Sequence, residues 1–75
     1  MIDKLDPTPL YVQVADAVQR EIEAGRPGPG EPIASESYMG QTYGVARGTV
    51  RRAVALLVER GLVVTIQGRG SYVKR

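Results

Sequence analysis

The sequence predicts a mainly α fold in which three helices are followed by a small β-hairpin. Two stretches carry apolar residues at every third or fourth position, with a shorter, more polar stretch between them, and that spacing indicates helices with one apolar face. After Gly61 the pattern changes to the run Leu62 to Ile66, in which every residue after the leucine is β-branched, and such a run is typical of a strand. With 75 residues, the chain is long enough for one domain, which we expect to span residues 1–75.

The first helix is predicted over residues 9–24. Its apolar face repeats every four residues, at Leu10, Val14, Val18 and Ile22. We expect the Thr8 hydroxyl to cap the first turn and Pro9 to take the first helical position, where the missing amide proton is not needed. Gly25 is expected to end the helix, because glycine readily adopts the left-handed conformation required there.

Two further helices are predicted after a connector. Proline and glycine dominate residues 25–32, so neither a helix nor a long strand is expected there. The second helix is predicted over residues 35–43, with Ser35 as its N-cap and Gly44 at its end. The third is predicted over residues 46–60. Its apolar stripe consists of Val50, Val54 and Leu57, with Ala53 and Val58 at its edges. A short helix, a glycine-containing turn and a longer helix form a helix-turn-helix.

The C-terminal part of the chain predicts a hairpin over residues 62–73. Gln67 to Gly70 would form its turn, with Arg69 at the tip. Added to the preceding helices, this hairpin predicts a winged helix-turn-helix, which consists of three helices plus a wing.

Composition excludes several classes of function. The chain has no cysteine and no histidine, so disulfides, thiolate chemistry, imidazole bases and the usual zinc ligands are ruled out. Its eight carboxylates form no convincing catalytic pair, and so small a domain has no room for a deep pocket. We therefore expect neither an enzyme nor a cofactor. The N-terminus lacks the features of a signal peptide, and no stretch would span a bilayer, so we expect a cytoplasmic protein without a membrane partner.

Charge is distributed unevenly along the chain. Residues 1–45 contain three basic and seven acidic side chains, whereas residues 46–75 contain seven basic and one acidic side chain. The net charge of the chain, +2, conceals this difference. A polyanion is expected to dock on the basic C-terminal half.

The start of the third helix carries the candidate reading residues. Arg47 and Arg51 are four residues apart and share one face, Gly48 and Arg52 lie in the neighbouring row, and Thr49 stands between them. The apolar stripe lies on the opposite side, so the arginines would point away from the core. Arginines on a helix surface are most often simply solvated. The preceding short helix and the basic hairpin favour a recognition helix in the major groove, where arginine binds guanine through a fork.

The hairpin turn has three alternative interpretations. The glycines of Gly68-Arg69-Gly70 could serve turn geometry alone, leaving Arg69 solvated. They could instead form a wing whose bare backbone lets Arg69 approach a phosphate or the minor groove. A phosphate-binding loop of an enzyme is a third alternative, but the loop lacks the longer Gly-Lys-Ser/Thr pattern, and no helix follows it.

The sequence resembles the N-terminal domain of the GntR family of transcription regulators over Pro9 to Val73. The matching residues are Pro9-Leu10-Tyr11, Gln13, Ile22, Ser35-Glu36, Tyr43-Gly44-Val45, Arg47, Thr49 to Ala53, Leu57, Gly61-Leu62-Val63 and Gly68 to Val73. This resemblance implies a winged helix that binds a roughly palindromic DNA operator as a homodimer. It places DNA contacts at Arg47, Thr49, Arg51 and Gly68, and implies a structural role for Glu36.

The chain departs from the family pattern at several positions. Ile33-Ala34 replaces the usual Leu-Pro, and Ser37 replaces an arginine that often contacts DNA. Ala46 stands where a serine or threonine usually caps the recognition helix, and the missing cap costs about 1 kcal/mol of helix stability. Gly48 costs up to about 1 kcal/mol more than alanine would, because its backbone loses more entropy when the helix forms. We therefore expect the recognition helix to fray when free and to tighten on DNA. The resemblance also implies an effector-binding domain after this one, which we expect to be absent from this chain.

The leading hypothesis is sequence-specific binding of double-stranded DNA by a regulator, for which a repressor is one expectation. The predicted DNA-binding residues are Ser35, Ser37, Arg47, Gly48, Thr49, Arg51, Arg52, Gln67, Gly68 and Arg69. The alternative is a winged-helix module that binds proteins without reading DNA, because a fold does not fix a function. Strong salt dependence of DNA binding would distinguish the two.

Overall fold

The computed structural model describes residues 2–75, so the first residue of the predicted span, Met1, lies outside the described residues. The elements in chain order are α1 (Leu10–Glu23), α2 (Glu36–Tyr43), α3 (Arg47–Glu59), β1 (Val63–Ile66) and β2 (Gly70–Val73). This order confirms the predicted fold class, a winged helix-turn-helix of three helices plus a hairpin. Each helix begins one residue later than predicted. The predicted ranges of α2 and α3 included the N-cap residues Ser35 and Ala46, which are not helical, and Pro9, predicted as the first residue of α1, is its N-cap.

The hydrophobic core lies between α1 and α3 and is completed by the sheet. The largest fully buried side chains are Leu57, Val14, Val50 and Val63. Ala53, predicted at the edge of the α3 stripe, lies at its centre with 1% of its surface exposed, whereas Val58 is 41% exposed. The prediction was wrong on this detail because Ala53 follows Val50 by three residues and precedes Leu57 by four, so all three share one face.

The start of α1 differs from the prediction. Pro9 is the N-cap residue, with φ −52° and ψ 141°, and no side chain caps the helix. A ψ of that size is extended, so the first helical residue is Leu10, and the predicted Thr8 cap is wrong. Gln13 instead holds the preceding segment against the helix: its Nε2 donates to the Thr8 carbonyl at 2.9 Å, and its Oε1 accepts from the Asp3 amide at 2.8 Å.

Glycine ends α3 as predicted and redirects the chain into the sheet. Gly61 has a φ of +77°, and the Leu62 amide then donates to the Leu57 carbonyl at 3.0 Å. This pairing satisfies a carbonyl at the end of the helix. Gly25 ends α1 in the same way, with the Arg26 amide donating to the Glu21 carbonyl at 2.9 Å.

The hairpin is joined by a third, short segment that the sequence did not predict. β1 and β2 are antiparallel, with Val63 opposite Val73 and Ile66 opposite Gly70. Pro32 forms a bridge with Tyr72 on the other side of β2. Since proline has no amide proton, the hydrogen bonds there are made by its neighbours: the Ile33 amide donates to the Ser71 carbonyl, and the Val73 amide to the Glu31 carbonyl. The connector thereby fixes the wing next to the start of α2.

No helix within residues 2–75 is long and apolar enough to cross a membrane. Within the same range there is no group of three or more acidic, cysteine or histidine side chains placed to hold a metal ion.

Candidate nucleic-acid interface

The first turn of α3 has no side-chain cap. Ala46 occupies the N-cap position in an extended conformation, and helical geometry starts at Arg47. Arg47 and Gly48 are exposed and Thr49 is half-buried. Amide groups in an uncapped first turn carry the positive end of the helix dipole, which favours an anion at this position.

Gly48 lies in this turn without any steric need for glycine. A Cβ atom built at Gly48 meets nothing within 4 Å, and its φ is not in the left-handed region. Because neither packing nor conformation requires glycine here, the absence of a side chain leaves the backbone of the first turn open to a large ligand.

Arg51 is held by a residue of the preceding helix. Its Nε donates to both carboxylate oxygens of Glu36, at 3.2 and 3.1 Å. The Arg51 side chain is 63% exposed and that of Glu36 is 41% exposed, so solvent screens the pair and it adds little to stability. Its consequence is geometric: the ion pair uses Nε, whereas the two terminal nitrogens, which make the fork of a bidentate contact, are not engaged by it.

Glu36 is a functional candidate for which the family resemblance implied only a structural role. The contact joins residues 15 positions apart, and the turn between α2 and α3 brings them together. An acidic residue at the start of one helix gives no local signal about which arginine of the next helix it meets.

Arg52, the other arginine of this turn, faces α1. Its guanidinium lies over the Tyr11 ring, with Cζ 4.2 Å from the ring centroid. Such a cation–π contact is worth about 0.5–1 kcal/mol at an exposed site. Stacking uses the face of the guanidinium and leaves its edge, which carries the N–H donors, open to a phosphate.

The start of α2 carries the two predicted serines. The Ser35 hydroxyl accepts a hydrogen bond from the Tyr38 amide at 3.1 Å, which confirms the predicted cap. Its own hydroxyl proton remains available to another acceptor. Ser37 is exposed and lines a shallow depression shared with Arg47 of α3, so these two predicted residues are brought together.

The tip of the wing is a three-residue loop formed by Gln67, Gly68 and Arg69, all exposed. Gly68 has a φ of +79°, a conformation that L residues rarely adopt. The Arg69 amide donates to the Ile66 carbonyl at 2.9 Å, and the Tyr72 hydroxyl donates to the Arg69 carbonyl at 2.9 Å. These bonds fix the backbone of Arg69, and its side chain is exposed.

Not every basic residue of the C-terminal half joins this surface. Arg60, near the end of α3, donates to Asp16 and Gln19 of α1 at 2.8 Å each. This pair neutralises one of the acidic side chains of the N-terminal half. The other basic side chains of α3 lie in its first two turns. Positive charge is therefore concentrated at the N-terminal end of α3, beside α2.

Comparison with known proteins identifies the relatives of this chain. The family described as bacterial regulatory proteins, gntR family, matches residues 10–73. The mannosyl-D-glycerate transport/metabolism system repressor MngR of Escherichia coli (strain K12) is 44% identical over 66 residues, which cover 88% of this chain and 28% of MngR.

Two solved structures share the fold. YtrA from Sulfolobus acidocaldarius, a GntR-family transcription factor, is 35% identical with a TM-score of 0.88, over 100% of this chain and 79% of that one. AraR(DBD) in complex with operator ORX1 is 36% identical with a TM-score of 0.79, over 84% of this chain and 76% of that one.

The matches cover most of this chain but a small part of its longer relatives. The chain spans 28% of the length of MngR, so the relationship concerns only that part of MngR. Because the family match extends over 10–73, it includes all three helices and the hairpin. The chain belongs to the gntR family of bacterial regulatory proteins.

Proposed function

We propose that this chain binds double-stranded DNA in a sequence-specific manner and serves as the DNA-reading domain of a transcription regulator. The observation that carries the proposal is the Glu36–Arg51 pair, which holds an exposed arginine by its Nε and leaves both terminal nitrogens for a guanine. The similarity to AraR(DBD), which was solved in complex with an operator, supports the same function.

In this proposal α3 enters the major groove by its first two turns. Arg51 reads a base, and Arg47 and Thr49 contact a base or the backbone from the first turn. Gly48 lets the backbone approach closely. Arg52, stacked on Tyr11, binds a phosphate by its edge.

The remaining predicted residues contact the sugar-phosphate backbone in the same proposal. Ser35 and Ser37 do so from α2. Gln67, Gly68 and Arg69 do so from the wing, and Arg69 reaches either a phosphate or the minor groove.

The proposal also covers the oligomeric state of the regulator, its type and its location. A single domain of residues 1–75 with two or three base contacts binds modestly, so we propose that two copies occupy a palindromic site. The name of MngR supports a repressor over an activator. Duplex DNA as the partner supports a cytoplasmic location, and regulation of transcription supports a role without catalysis or a cofactor.

The test is an anisotropy titration of a labelled random duplex of about 25 base pairs, long enough for two half-sites one helical turn apart. Binding is compared at about 50 and 200 mM salt, because phosphate contacts make affinity fall steeply with salt, and is followed by selection from a random pool. We expect salt-sensitive binding and enrichment of a palindrome. The absence of duplex binding at low salt would contradict the proposal and favour a protein-interaction module.

A further inference from the structure

A groove between the wing and the start of α2 contains two polar groups that the function proposed above does not use, the hydroxyls of Thr65 and Ser71. Its volume is about 470 Å³, and Ser35, Glu36, Thr65, Arg69 and Ser71 are among its lining residues. Met39 and Val54 also line it and supply its apolar part. We propose that this groove binds one phosphate of the DNA backbone, with Thr65 and Ser71 as donors beside Arg69; this inference rests on the proposed function.

The hydroxyls of Thr65 and Ser71 lie on the inner face of the hairpin. The two residues are opposite each other in the sheet, and they alternate with Val63 and Val73, which are buried against the core. Alternation along a strand places Thr65 and Ser71 on the same side as those buried valines. At this end of the hairpin that side opens into the groove, so both hydroxyls face it.

The hydroxyl pair of Thr65 and Ser71 has one proton that their mutual hydrogen bond does not use. The two oxygens are 2.9 Å apart, and either can donate to the other. A pair of hydroxyls carries two protons, and their mutual hydrogen bond uses one of them. Among residues 2–75, the second proton has no other hydrogen-bond partner. It is therefore available to an acceptor in the groove, and a phosphate oxygen is a strong one.

The position of the groove matches the path of a bound duplex. At one side lies Glu36, which is bonded to Arg51, and at the other lies Arg69. We therefore expect a duplex that contacts the recognition helix and the wing together to pass over the groove. The negative charge of Glu36 is balanced by Arg51, so Arg69 supplies the net positive charge that attracts a phosphate.

The double variant T65V/S71A removes both hydroxyls and keeps the shape of the strand. Loss of a hydrogen bond to a charged phosphate should weaken duplex binding about tenfold. We expect this loss on random as well as selected duplex, with an unchanged slope of log affinity against log salt, because neutral donors release no counterions. Arg69→Ala should instead reduce the slope by about 1.

Matched variants separate the hydroxyls from effects on folding. The swap T65S/S71T retains two opposed hydroxyls and should keep the parental affinity. T42V removes an exposed hydroxyl from α2 that does not line this groove and should also bind normally. Circular dichroism melting of each variant shows whether it is folded at the temperature of the titration.

A scan with single methylphosphonates, which replace a charged phosphate oxygen by a methyl group, locates the contact on the selected duplex. We expect one position per half-site at which the parental chain loses affinity and the double variant loses little more. Parental affinity in a folded T65V/S71A, or equal methylphosphonate penalties for both proteins at every position, would overturn the inference. If the parental chain binds no duplex at low salt, the proposed function fails, and this inference fails with it.

Discussion

Gly48 and Gly44 offer a paired test of how the turn and the recognition helix are built. A Cβ atom built at either position meets nothing within 4 Å, but Gly44 has a φ of +66° whereas Gly48 is helical. An added methyl group therefore has room at both sites, and only the backbone conformation differs between them. Gly48→Ala should stabilise the fold by about 1 kcal/mol, because alanine is the better helix former. Gly44→Ala should destabilise it by about 1–2 kcal/mol, the cost of a left-handed L residue.

Thermal unfolding followed by circular dichroism measures both changes. For a domain of this size, about 1 kcal/mol shifts Tm by about 4–8 °C, so the two variants should move in opposite directions by an amount that is easily resolved. Gly61→Ala, at a φ of +77° with equally open space, is the matched control and should behave like Gly44→Ala. A lower Tm for Gly48→Ala, or an unchanged Tm for Gly44→Ala, would refute the reasoning.

The same Gly48→Ala variant tests the role of the residue on DNA. If the bare backbone of the first turn approaches the duplex, the added methyl group should weaken binding although the fold becomes more stable. Stability and affinity then change in opposite directions, which a general folding defect cannot produce. Unchanged affinity in the stabilised variant would remove Gly48 from the interface.

Three further predictions concern the elements around the recognition helix. Glu36→Gln should lower the ratio of selected to random duplex affinity by a few fold, because it releases Arg51 and removes a repulsive charge near phosphates; an unchanged ratio in titrations would show that Glu36 does not position the arginine. Ser35→Ala should cost about 1 kcal/mol in urea unfolding through loss of the α2 cap, and an unchanged midpoint would contradict that role. Amide exchange over Ala46–Arg51 should be fast in the free chain and slow on DNA, because α3 has no side-chain cap; slow exchange without DNA would refute the predicted fraying.

The elements of the fold were predictable because their signals are local. Ser35, Gly44 and Gly61 mark helix boundaries through their own chemistry, and apolar periodicity identifies the buried faces of α1 and α3. The Thr8 cap was wrong because Pro9, which follows it, took the N-cap position in extended geometry. A hydroxyl beside a proline gives no indication of which of the two residues ends the extended segment.

The contacts that organise the candidate interface were not predictable, because they join distant parts of the chain. Glu36 meets Arg51 across the turn between two helices, and Arg52 stacks on Tyr11 of α1. The bridge of Pro32 to Tyr72 lies in a connector whose composition argues against a strand. Each depends on the packing of α1, α2 and the sheet around α3, which one sequence does not reveal.

The central claim is that α3 reads bases through Arg51. The most direct measurement compares the parental chain with Arg51→Ala on the selected duplex and on a scrambled duplex of the same length and composition, at one salt concentration. Loss of a bidentate base contact should weaken binding to the selected duplex by about 1–3 kcal/mol and leave binding to the scrambled duplex much less affected. Equal losses on the two duplexes would contradict the claim, since Arg51 would then be only one more positive charge near the phosphates.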